Sequence, residues 1–404
     1  MRCMTMPMSG FAVSAPILRH AAALCAAALL ALPAGAQEGA HVHAPRTDLP
    51  HLVVDLADMS VVSEALAEHP WHPASLTKLM TTWTVLKAIE RGEVSADTPV
   101  TMTHGASLQS PSKMGYAPGT TFSLGDALAM LMIKSANDVA VAIAEAVGGS
   151  TEGFAARMNA EARALGMDQS TFVNAHGLPE DRQVTSARDM VLLIAALKRD
   201  HSDWNWLWRT PALGTPNRTF RSFNKLLARF PGATGMKTGF VCGSGFNLAA
   251  SAKRDGRELV AVVLGRRNGN ERAFDAARLL ELSFEGRDTS KRALDDLDPG
   301  FDVPLAPRDM RPHVCEKGAR LVAPEAVLQA RFVGPPLPPR EWLGPEPETL
   351  ATYRIGPLTY RDPWPDYAAL ERIAVPDLKP PPPPIDDVPL AESSNVPTFR
   401  PTEG

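Results

Sequence analysis

The chain has 404 residues, of which 45% are apolar, 21% charged and 6% aromatic. That is a globular average with room for two or three domains, and it excludes a collagen-like, coiled-coil or wholly disordered chain. A formal net charge of −4 gives no electrostatic case for nucleic acid, and a mean hydropathy of −0.10 with a single long apolar run argues against a polytopic membrane protein.

The apolar run opens the chain. Arg2 and Arg19 supply positive charge, Ala21 to Leu32 is nearly all Ala and Leu, and Ala34-Gly35-Ala36 offers the small residues at which a signal peptidase cuts. This pattern predicts an export signal over 1–36, cleaved near Ala36, and a periplasmic product. The stretch is too short for a permanent anchor. Leu24 before Cys25 lacks the small residue of a lipoprotein site. Residues 37–47 are expected to be mobile. Cys3 and Cys25 leave with the signal, so Cys242 and Cys315 remain; in an oxidising compartment they form either a bridge or two separate thiols.

Residues 52–66 read as a hairpin. Leu76, Leu79, Met80, Trp83 and Leu86 recur at helical spacing, and Leu124 to Val147 forms a second helical stretch interrupted near Ser135. Asp189 to Leu197 forms a third. Trp204, Trp206 and Trp208 alternate as in a core strand or a sugar-stacking rim, with packing favoured. Phe246 to Ala252 and Leu259 to Leu264 are strands joined through Asp255-Gly256, a hairpin turn. Ala273 to Phe284 closes the block as a helix. The order predicts an α+β fold: an antiparallel sheet from both ends of a 48–287 domain, flanked by helices. Of 37 prolines, 23 lie from Asp295 onward. Residues 288–375 therefore read as a Pro-rich extension that either forms a small β-rich module or lies along the main domain. Pro380 to Pro384 marks 376–404 as a disordered polyproline tail.

Three short patterns carry chemistry. Ser75-Leu76-Thr77-Lys78 puts an amine one helical turn from a hydroxyl, and a buried neutral lysine can take that hydroxyl's proton. About one Ser-x-x-Lys is expected by chance, and the chain has two more, at Ser110 and Ser222; only Ser75 heads a strongly periodic segment. Ser135-Ala136-Asn137 offers a proton relay and an amide, or merely a helix cap. Lys237-Thr238-Gly239 occurs once, against a chance expectation of about 0.1. It precedes an apolar strand, where it provides a carboxylate site or simply a strand-end lysine and a turn glycine.

In this order the three patterns resemble the active site of the penicillin-recognising serine enzymes. Met114-Gly115 with Pro118-Gly119, Ser135-Ala136-Asn137-Asp138, Asn174-Ala175-His176-Gly177-Leu178, Ser186-Ala187-Arg188-Asp189-Met190, Gly235-Met236-Lys237-Thr238-Gly239-Phe240 and Ser251-Ala252-Lys253-Arg254-Asp255-Gly256 are similar to the low-molecular-mass D-alanyl-D-alanine carboxypeptidases, peptidase family S11. The resemblance covers roughly residues 48–287. It implies a DD-peptidase/β-lactamase-like fold, with Ser75 as acylated nucleophile, Lys78 as its base and Ser135 as proton relay. It also implies that Asn137 contacts the substrate amide and that Lys237 lowers the Lys78 pKa. Thr238 would hold the terminal carboxylate, and the Ser75 and Phe240 N–H groups would form the oxyanion hole beside Gly239. The implied substrate is a peptidoglycan stem peptide ending in D-Ala-D-Ala, with β-lactams as covalent inhibitors and no metal or organic cofactor.

The alternatives are a DD-endopeptidase on cross-links and a non-catalytic peptidoglycan scaffold. A class A β-lactamase would need Ser-Asp-Asn where Ser135-Ala136-Asn137 stands. His176 reads as structural, since geometry and not residue type defines a base. No basic amphipathic helix ends the chain, so no membrane anchor of that kind is evident.

Overall fold

The computed structural model describes residues 49–286, 292–297, 306–316, 343 and 349–360. The predicted export signal, the 37–47 segment, the predicted polyproline tail and much of the 288–375 extension lie outside the described residues.

The strands in chain order are β1 (His51–Asp55), β2 (Val61–Ala65), β3 (Pro99–Thr101), β4 (Thr120–Ser123), β5 (Ala212–Gly214), β6 (Thr219–Arg221), β7 (Ala233–Val241), β8 (Gly245–Arg254), β9 (Arg257–Arg266), β10 (Thr352–Arg354) and β11 (Thr359–Tyr360). The main sheet has the order β2-β1-β9-β8-β7 and is antiparallel throughout. The first hairpin of the domain thus docks beside the last, as the element order predicts. At the β8–β9 turn, Asp255 and Gly256 take φ of 49° and 81°. Both central residues are left-handed, which is the backbone twist that a two-residue hairpin needs.

Alternation along the strands sorts side chains into two cores. Leu52, Val54, Val260, Val262 and Leu264 join the large core under the helices. Val53, Leu259, Ala261 and Val263 join a smaller one against the Gly269–Phe284 helix. Each buried aliphatic side chain contributes roughly 1.5–3 kcal/mol relative to exposure.

The Thr77–Glu90 helix runs through the large core and is buried on nearly all sides, including Thr77, Lys78, Thr81, Thr82 and Thr84. Its threonines are accommodated by donating to carbonyls one turn back, Thr82 to Lys78 at 2.8 Å and Thr84 to Met80 at 2.9 Å. The second helical stretch breaks where the sequence reading put the interruption. Leu124–Ala129 passes into a π turn at Met130–Lys134, Ser135 is left-handed at φ 62°, and Asn137–Gly148 resumes as α-helix.

Two expectations are corrected. Trp204 and Trp208 lie in short helical turns, Ser202–Trp204 and Trp206–Arg209, and not in a strand. Trp208 is buried, while Trp206 stacks on Trp204 and on Tyr353. Lys237-Thr238-Gly239 precedes the apolar strand β8 as expected, but it lies inside a strand of its own, the edge strand β7, and is neither a strand-end lysine nor a turn glycine.

The described parts of the extension lie along the main domain. Met310 is buried in the large core, and its N–H donates to Gly243 O at 3.0 Å. Cys315, just after the Arg311–Val314 turn, is bonded to Cys242, with the two Cα atoms 5.8 Å apart. Further on, β10 pairs parallel with β5, and β11 pairs antiparallel with β4. Tyr353 Oη donates to Asp126 Oδ1 at 2.8 Å between these two pairings. Among the described residues no helix is long and apolar enough to cross a membrane.

Candidate active site

Ser75 sits in a 3₁₀ turn, Ala74–Leu76, that leads straight into the Thr77–Glu90 helix. Ala74 precedes it in the left-handed region at φ 48°. Ser135 is also left-handed, so two non-glycine residues of the site hold uncommon backbone conformations. Asn247, from β8, ties the turn to the sheet: its Nδ2 donates to His72 O at 3.0 Å and Pro73 O at 3.2 Å, and its Oδ1 accepts from Gly265 N at 2.9 Å.

Lys78 is fully buried. Its Nζ lies 3.0 Å from Ser75 Oγ, 2.7 Å from Asn137 Oδ1 and 2.6 Å from His176 O. Two of these partners are carbonyl oxygens that only accept; the third is a hydroxyl that can donate. A neutral amine fits this set, with two N–H bonds to the carbonyls and its lone pair toward the serine proton. Burial, and next the charge of Lys237, hold the Lys78 pKa well below its ordinary range.

Lys237 Nζ donates to Ser135 Oγ at 2.9 Å and to Thr238 O at 3.1 Å. Burial and the nearby Arg272 lower its pKa to about 7. Arg272 is itself buried, and its guanidinium donates to Gly239 O at 3.1 Å and Phe223 O at 3.3 Å. Burial brings it down to about 10. Arg272, Lys237 and Lys78 thus form a series in which the charge of Arg272 lowers the proton affinity of Lys237, and the charge of Lys237 lowers that of Lys78.

The surrounding motifs brace this centre. Asn137 Nδ2 donates to Ser110 O at 2.8 Å, and its backbone N–H to Ser112 O at 2.7 Å. Asp138 accepts from the N–H groups of Met114 and Gly115 at 3.0 and 2.8 Å. The second Ser-x-x-Lys is therefore a loop that supports the Ser135–Asn137 turn. The third, at Ser222, precedes only the short Leu226–Arg229 helix. His176 meets Lys78 through its carbonyl; its ring Nδ1 accepts from Leu178 N at 3.1 Å. Burial and Lys78 lower that ring's pKa to about 3, which leaves it neutral.

Hydrogen bonds and close contact thus bring Ser75, Lys78, Ser135, Asn137, Lys237 and Gly239 together where β7 meets the serine turn, and Thr238 and Phe240 flank Gly239 on that strand. Thr238 and Gly239 are buried and Phe240 is 42% exposed, stacked on Phe246 at 4.1 Å between ring centres. The sequence reading missed Asn247 and Arg272. Arg272 had a signal: it occupies the apolar stripe of its helix, four residues before Ala276.

A comparison with known families decides what this site belongs to: residues 41–268 match peptidase family S11, D-alanyl-D-alanine carboxypeptidase. The chain belongs to that family. As an S11 chain it is a serine peptidase of the D-Ala-D-Ala carboxypeptidase group. It is 33% identical over 282 residues to D-alanyl-D-alanine carboxypeptidase DacC of Escherichia coli, a match spanning 66% of this chain and 69% of that protein. It is 31% identical over 222 residues to DacF of Bacillus subtilis, spanning 54% of this chain and 57% of the relative. Among solved structures, the S11 fold aligns with penicillin binding protein 5 from Haemophilus influenzae at TM-score 0.57 and 28% identity, covering 59% of this chain and 71% of the other. It also aligns with the ampicillin-bound form of Penicillin-Binding Protein D2 from Listeria monocytogenes at TM-score 0.54 and 28% identity, covering 58% and 96%.

Proposed function

We propose that the chain removes the terminal D-alanine of peptidoglycan stem peptides ending in D-Ala-D-Ala, through an acyl-enzyme on Ser75 that penicillins also form. The observation that carries this reading is the buried Lys78 amine 3.0 Å from Ser75 Oγ, with its other two partners both carbonyl oxygens. Ser75 Oγ attacks the carbonyl carbon between the two D-alanines while Lys78 takes its proton. The N–H groups of Ser75 and Phe240 hold the developing oxyanion. Collapse breaks the C–N bond, and the proton held by Lys78 reaches the departing amine through Ser135, which leaves Lys78 neutral again. Water then attacks the ester, returning its proton through Lys78 and freeing Ser75. Thr238 and Lys237 hold the carboxylate of the leaving D-alanine, and Asn137 orients the substrate amide. We assign the protein to the periplasm after export.

The test is D-alanine release from a soluble tripeptide ending in D-Ala-D-Ala. Release by the wild-type chain that falls about a millionfold in Ser75→Ala supports the reading. Penicillin labelling of Ser75 without release would turn it toward cross-linked substrates. Neither release nor labelling would leave only a scaffold.

A further inference from the structure

A shallow concavity, open to solvent, adjoins the turn that carries Ser75. Ala74, Val241 and Gly243 form part of its wall, and Glu180, Asp181 and Arg311 bring charge of both signs to it. Arg311 belongs to the extension and is held in place at two points. The Met310 N–H donates to Gly243 O at 3.0 Å, and the Cys242–Cys315 bond closes the other end of the Arg311–Val314 turn. The guanidinium lies over Gly243: a Cβ built there would stand 3.7 Å from Arg311 Nη2. One arm of the fork, Nη1, reaches Asp309 Oδ2 at 3.1 Å. An arginine fork has five N–H donors in a geometry that suits carboxylates.

The direction of the substrate follows from the reading above, on which this inference rests. The leaving D-alanine carboxylate sits at Thr238 and the scissile carbonyl at the Phe240 N–H. A substrate laid along β7 continues past Val241 on its acyl side. Residues along an extended strand advance about 3.3 Å each, so the side chain preceding the D-Ala-D-Ala terminus arrives at this concavity. We propose that it is a side-chain subsite: Arg311 binds a carboxylate, and Glu180 with Asp181 binds an ammonium, both at the end of one zwitterionic side chain.

The test compares acylation of Ser75 by two penicillins. Penicillin N carries an aminoadipoyl side chain ending in an ammonium and a carboxylate; benzylpenicillin carries an uncharged phenyl. The measured quantity is the ratio of their second-order acylation constants. That ratio is expected to fall about tenfold in Arg311→Gln, the loss of one charge-assisted contact. It is also expected to fall in the double variant Cys242→Ser/Cys315→Ser, which keeps the arginine but frees its tether. An unchanged ratio in Arg311→Gln overturns the subsite, while benzylpenicillin acylation in the same run preserves the acyl-enzyme reading. Failure of both penicillins to acylate the wild-type chain overturns that reading and the subsite with it.

Discussion

Gly177 and Gly239 close on the same turn of backbone. A Cβ at Gly177 would fall 1.9 Å from Ala74 O, and one at Gly239 would fall 2.8 Å from Pro73 O and 3.2 Å from Ser75 N. The turn that presents the serine is held in contact with both residues. Gly177 carries a further constraint, its φ of +87°. Gly239→Ala is expected to fold and to lose about a hundredfold or more in kcat/KM, the scale of a misplacement near 1 Å. Gly177→Ala is expected to be worse, with a lowered melting temperature as well. Normal turnover in Gly239→Ala would show that the contact does not position Ser75.

The Arg272–Lys237–Lys78 series predicts a pH effect of defined sign. Lys78 acts as a base only when neutral, so its pKa sets the acid limb of the kcat/KM profile. The charge of Lys237 helps hold that pKa down. In Lys237→Gln the Lys78 pKa rises, and the acid limb moves to higher pH. Height alone does not test this, since Lys237 also faces the substrate; the position of the limb does. An unmoved limb would mean that burial alone sets the Lys78 value.

Asp189 predicts a stability effect of the opposite sense from most carboxylates. Burial raises its pKa from 3.8 to about 7, against the hydrogen bonds from Ser170 and Gln169. Between these values the native state holds a proton that the unfolded chain has shed, so stability falls as pH rises from about 4 to 7. Asp189→Asn should flatten that slope in denaturant titrations across the same range. A slope equal to wild type would place the titration elsewhere.

The Cys242–Cys315 bond spans 73 residues. On the chain-entropy account a loop of that length is worth about 4 kcal/mol at most. Cys242→Ser/Cys315→Ser should therefore lower the melting temperature by roughly 10 °C. A shift below 2 °C would show that the contacts of Met310 suffice to hold the extension.

Much of this was legible in the sequence because it is written in local chemistry. Asp255-Gly256 announced its turn, since few residue pairs take two left-handed conformations. The break near Ser135 showed because an apolar helical period stopped at Ser-Ala-Asn. The three motifs named side chains that the fold brings within hydrogen-bond reach of one another, and Cys242 and Cys315 were recognised as candidates for a bridge. What stayed hidden depends on partners far away in the chain. β10 and β11 are only three and two residues long, and their places are fixed by β5 and β4, not by their own pattern. The tryptophans of 204–208 alternate like a strand yet coil into helical turns, with Trp208 in the core. Asn247 looked like one polar residue in an apolar strand; only the neighbouring turn gives its amide a purpose.

The docking of β1 on β9 sets an order of events for the newly made chain. His51 lies opposite Val263, so the central pairing of the sheet cannot form until residue 263 has been synthesised. Sheets closed by such distant partners form slowly, because the loop must be ordered before the contacts reward it. A nascent chain of this design therefore holds its main sheet incomplete through most of its synthesis, with the first hairpin waiting for a partner that arrives about two hundred residues later.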